Sequence, residues 1–127
     1  MPDDFALFKS ECLRWIEFFG LTSWKIDFVH EKLRNEAFAE CRVDGICDRY
    51  CVLALNAEIS DHDRSYFDPA KTAFHEVLEL LLWPLESCGR DRFVNPDDFV
   101  RERHALIRTL ENTVYPKLKG ENPCATK

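Results

Sequence analysis

Nowhere among its 127 residues does the chain hold the roughly 18 consecutive apolar residues that a membrane-spanning helix needs. Its opening residues, Met1, Pro2, Asp3 and Asp4, are acidic where a secretory signal is basic and then apolar. Basic charge is also short: 17 Lys and Arg against 23 Asp and Glu leave a net charge of -6. That deficit disfavours broad nucleic-acid binding, in which Lys and Arg replace counterions at phosphates. Repeats and low-complexity tracts are missing too. These absences make a cytoplasmic protein the expectation, off the membrane and off nucleic acid at large. Paired C-x2-C spacing, which marks a structural zinc site, is likewise absent. The six cysteines, Cys12, Cys41, Cys47, Cys51, Cys88 and Cys124, read in a reducing compartment as buried thiols rather than a disulfide framework. Cys41, Cys47 and Cys51 lie close together and read as small core residues of a hairpin.

Hydrophobic residues make up 46% of the chain and charged residues 31%, an ordinary globular composition. Ten phenylalanines, three tryptophans and three tyrosines supply the bulk for one core. The length suits one domain, expected over residues 1–119, with a tail at 120–127 expected to fray.

Phe5, Phe8, Cys12, Trp15, Ile16 and Phe19 recur at helical steps and predict a helix over 4–19, with Gly20 as its C-cap. Trp24, Ile26 and Phe28 alternate with Lys25 and Asp27, which predicts a half-buried strand over 24–31. Ala37, Ala39, Cys41 and Val43 alternate in a second strand over 36–43. Its small side chains suggest that another element packs closely against it. A turn signal at Asp44 and Gly45 leads to a more apolar strand over 50–56, the last two strands forming a hairpin. Residues 60–68 read as a loop. Asp68 followed by Pro69 marks the start of a second helix, expected to end near Pro84. A polar link containing Gly89 comes next. Asn95 followed by Pro96 starts a third helix, which runs to about 115 or a little beyond, with Pro116 ending or kinking it. The order α-β-β-β-α-α is an α+β domain.

The second helix carries the sharpest chemical signal. Wound at about 100° per residue from His75, its apolar residues Ala73, Phe74, Val77, Leu78, Leu80, Leu81 and Leu82 cover roughly 140° to 340°. The remaining strip holds Thr72, His75, Glu76, Glu79, Trp83 and Glu86. His75 and Glu79, four residues apart, stack on one edge of the helix, and Glu76 sits about a quarter turn round. Two donors at i and i+4 can grip one metal ion from a single turn, and a Glu beside the first can act as general base on a metal-activated water. The usual pattern is H-E-x-x-H; here it is H-E-x-x-E. A carboxylate is a legitimate zinc ligand, and its presence moves the preference towards harder ions such as manganese. The plain alternative makes His75 an edge-of-core residue and Glu76 and Glu79 solvated helix charges. A third ligand belongs on another element. Glu102 and His104 both flank the apolar face of the third helix and stand as alternatives. Glu111 and His62 are weaker candidates, and His30 reads as a surface residue.

Trp24 with its strand, the run Val52-Leu53-Ala54-Leu55, the acidic loop, Ala73-Phe74-His75-Glu76-Val77-Leu78 and the stretch from Glu102 to Arg108 together resemble the small zincin-like metallopeptidases common in bacteriophages and prophages. Those are related in layout to SprT-like and minimal gluzincin-type domains. The resemblance spans roughly residues 5–115, and only the motif of the second helix is specific. It implies a small three-stranded sheet, antiparallel or mixed, packed against the motif-bearing helix, with one N-terminal and one long C-terminal helix. It implies His75 as first metal ligand, Glu76 as catalytic base, Glu79 at the second ligand position and Glu102 as third ligand, around one divalent ion, zinc first and manganese second. The substrate would be a peptide or protein. The altered motif keeps a second expectation open: a non-catalytic phage or prophage accessory protein that binds a partner on the same scaffold.

Overall fold

A computed structural model describes residues 3–45, 48–90 and 93–120. Helix α1 spans Asp4–Phe18, strand β1 Lys25–Glu31, a 3-10 turn Arg34–Glu36, strand β2 Ala39–Gly45 and strand β3 Tyr50–Asn56. A short helix α2, Asp61–Arg64, precedes α3, Pro69–Arg90, and α4, Pro96–Gly120. The architecture is α+β, as expected. No helix among the described residues is long and apolar enough to cross a membrane.

Local chemistry sets the ends of these helices. The Asp3 carboxylate accepts from the amides of Phe5 and Ala6 at the start of α1. At its end Gly20 adopts φ 71°, the Leu21 amide donates to the Ile16 carbonyl and the Gly20 amide to that of Glu17. This is the Schellman closure, in which glycine takes the left-handed position without steric cost. Asp68 Oδ1 accepts from the Ala70 and Lys71 amides at 3.1 and 3.2 Å, and Pro69 opens α3 with no wasted donor. Asn95 and Asp98 cap α4 reciprocally, each side chain accepting from the other's amide.

Four expectations change. Helix α3 does not stop at Pro84 but continues to Arg90. The proline removes the bond to Leu80 and crowds its carbonyl, yet Leu81 and Leu85 on either side share a pocket with Leu106 of α4. Tertiary packing carries the helix through the local break. Gly89, expected in a link, lies inside α3 beside the Phe99 ring. The loop over 60–68 holds the turn of α2, capped by Ser60. Helix α4 likewise runs past Pro116 to Gly120. The expected frayed tail beyond Gly120 lies outside the described residues, as do Cys47 and Cys124.

The sheet is mixed, in the order β1-β3-β2. β1 pairs parallel with β3, Lys25 opposite Tyr50 through Glu31 opposite Asn56. β2 pairs antiparallel with β3, with an irregularity between Val43 and Gly45. β3 is therefore the central strand, and its apolar run matches burial on both faces: Cys51, Leu53, Ala54 and Leu55 are fully buried. Asn56 closes the strand. Its side chain donates to the Ala37 carbonyl and accepts from the Leu33 and Glu58 amides, which pins the β1–β2 crossover. The core joins Phe8, Cys12 and Ile16 of α1, the β3 residues, and Ala73, Val77 and Leu80 of α3. α3 packs on α1, β2 and α4, so the small side chains Ala39 and Cys41 do receive a close neighbour.

Candidate metal centre

α3 leaves the core along one edge, and that edge holds the donors. Ala73, Val77 and Leu80 turn inward. His75 and Glu79 turn outward, with side chains 68% and 54% exposed. Glu76 falls between the two faces and is only 5% exposed, against β2. His75 Nε2 and Glu79 Oε2 lie 3.0 Å apart. Ligand atoms of His75, Glu76 and Glu79 all lie within 4.8 Å of one another, the one group of three or more such donors among the described residues. An ion held about 2.0–2.2 Å from each donor separates tetrahedral ligands by about 3.3 Å, close to the His75–Glu79 spacing. These three residues could hold a metal ion. Two carboxylates and an imidazole form a donor set suited to a divalent cation.

Burial changes Glu76 chemically. Loss of hydration drives its pKa up to about 7, the nearby Glu79 and Glu40 push it the same way, and His75 opposes them. The carboxyl is thereby poised to exchange a proton near neutral pH, the range a general base needs. His75 and Glu76 form one wall of an open groove of about 400 Å³, whose other lining residues are Phe38, Ala39, Tyr66, Asp68, Lys71 and Thr72.

The remaining candidates do not join this group. Glu102 lines a separate pocket beside Leu81, Pro84 and Leu85, further along α3, and its carboxylate faces Arg101 at 3.9 Å. His104 turns its Nδ1 to the Val100 carbonyl of its own helix. His62 packs on Tyr66, His30 stacks on Phe5, and Glu111 is exposed on α4. Among the described residues, no third donor from another element joins His75 and Glu79. Residue spacing along α4 could not foretell this, because where α4 crosses α3 is a tertiary outcome.

Sequence reasoning also missed the groove walls. Phe38 and Tyr66 carry no motif, although the alternation of β2 already turned Ala39 towards the motif helix. The thiols do cluster: Cys41 and Cys51 sulfurs lie 3.6 Å apart on neighbouring strands. The contact with Cys51, followed by burial, pushes the Cys41 thiol far up, and burial does the same to Cys12. Their burial in the core disfavours the thiolate of Cys41 and Cys12, the form in which a cysteine is reactive. No family model, curated protein or solved structure matches this chain.

Proposed function

We propose that the protein is a metal-dependent hydrolase of the peptidase type on a zincin-like scaffold. His75 and Glu79 hold one divalent ion, zinc in preference to manganese, and Glu76 is the general base. The observation that carries this reading is the 3.0 Å approach of His75 Nε2 to Glu79 Oε2 beside a buried carboxyl. When bound, a divalent ion would supply Lewis acidity and bring a water towards ionisation near pH 7. Glu76 takes the proton of the attacking water, and its low exposure keeps its proton affinity matched to that task. The groove beside it, with Phe38 and Tyr66 on its walls, accepts an extended peptide or an unfolded protein segment.

The test uses purified protein supplied with zinc or manganese and a mixture of unstructured peptides. The wild type is expected to carry about one equivalent of metal and to cleave. Glu76→Gln should keep the metal and lose cleavage, and His75→Ala should lose both. Metal-loaded wild type that cleaves nothing in the mixture supports the second reading, a non-catalytic accessory protein that binds a partner. That reading is favoured by the position of Glu102, away from the cluster. Under it, Glu76→Gln leaves the biological role intact.

A further inference from the structure

Lys71 is the only lysine or arginine among the residues that line the groove beside the candidate centre. It precedes His75 by four residues on α3, so the two Cα atoms lie about one turn, or about 6 Å, apart along the helix. At about 100° per residue, Lys71, His75 and Glu79 fall within about 80° of arc on one edge. The Lys71 side chain is exposed, and its ammonium forms no ion pair with the described residues. Asp68, three residues earlier, is spaced to pair with it. That carboxylate instead accepts from the amides of Ala70 and Lys71, and its charge is compensated there at the start of the helix. Glu76, the other carboxyl in the lining, is 5% exposed and turned against β2. Lys71 is thus the one exposed and uncompensated charge along the groove.

Aromatic rings stand across from it. The Phe38 ring is held against that of Phe67, centroids 5.1 Å apart. Tyr66 packs edge-on with His62 and stays 71% exposed. Rings beside a single unpaired cation complement an apolar side chain with a carboxylate close by. An extended peptide advances about 3.3 Å per residue. The rise from His75 to Lys71 therefore spans one or two residues of such a peptide.

We propose that Lys71 sets the specificity of this groove by pairing with a carboxylate of the bound peptide, one or two residues from the position held at His75. The carboxylate is an acidic side chain or the peptide's own C-terminus. That the bond beside His75 is the one attacked rests on the hydrolase reading, whereas the pairing with Lys71 needs no catalysis.

Three blocked peptides test it, alike except at the position after a central phenylalanine. One carries aspartate there, one asparagine, and one ends there with a free carboxylate. Binding is measured by titration calorimetry of zinc-supplied Glu76→Gln protein at low salt. At least one carboxylate peptide should bind about fivefold tighter than the asparagine peptide. Which of the two gains tells an acidic side chain from a chain end. The advantage should fade in about 1 M salt, where charges are screened within about 3 Å. Lys71→Met, made in the same background, should erase it. Lys71→Glu should invert it, so that a peptide with lysine in place of the aspartate binds best. Equal binding of the three peptides overturns the inference, as does no binding of any up to about 1 mM. So does a preference that survives Lys71→Met. Cleavage by the zinc-supplied wild type separates this outcome from the reading beneath it. Carboxylate-selective binding with no peptide cleaved upholds the pairing and counts against the hydrolase. Cleavage of all three peptides, with equal binding, does the reverse.

Discussion

Helices α3 and α4 are built alike and end up chemically unlike. They run for 22 and 25 residues, each starts at a capped proline, and each contains a second proline. Both carry acidic and basic residues at helical spacing. Yet α3 buries Ala73, Glu76, Val77 and Leu80, whereas no described residue of α4 is fully buried. Contact with α1 and β2 forces one carboxyl of α3 out of water, and that carboxyl acquires a proton affinity useful at neutral pH. The carboxyl of Glu102 and the imidazole of His104, no worse as ligand types, remain at the flank of a half-covered helix. What turns a helical pair of donors into a candidate centre is therefore the burial of the residue between them.

The largest expected effect tests this difference in packing. Leu80→Ala, fully buried on α3, should cost about 3 kcal/mol in urea unfolding, while Leu106→Ala on α4 should cost about 1 kcal/mol. Equal costs would remove the contrast between the helices. Next comes Glu76→Gln in metal-free protein. The raised pKa means that the folded state holds a proton that the unfolded state has released between about pH 4.5 and 7. Stability contributed by the protonated carboxyl is thus full below pH 4.5, falls as pH rises through that window, and levels off above it. Glu76→Gln should flatten this fall and raise stability at pH 8 by about 2–3 kcal/mol relative to its effect at pH 4. A wild-type profile with no fall between pH 4.5 and 7 would mean that Glu76 is solvated like the α4 carboxylates. Smaller still is the effect of the caps. Asp68→Ala should cost about 1 kcal/mol globally because α3 is part of the core. Asn95→Ala should show mainly as faster amide exchange in the first turn of α4, since a sparsely packed helix opens locally.

Much of this contrast was legible in the chain. The starts of α3 and α4 followed from Asp68-Pro69 and Asn95-Pro96, and β3 from its apolar run, because those signals act within a few residues. The convergence of His75 and Glu79 followed from helical geometry alone. The passage of α3 through Pro84 did not, because the contacts that hold it come from Leu106, more than 20 residues on in sequence. Nor did the parallel pairing of β1 with β3, which leaves no local mark. The position of Glu102 failed to emerge for the same reason: a wheel shows which way a residue points, not where along its neighbour the helix crosses.

The central claim is that one turn of α3 presents an imidazole and a carboxylate to a shared cation. Anomalous diffraction from crystals grown with zinc addresses it directly. A peak should stand about 2.0–2.2 Å from both His75 Nε2 and Glu79 Oε2, and it should vanish in His75→Ala crystals grown the same way. Ordered side chains that point apart, with no peak between them in zinc-grown wild-type crystals, would contradict the account.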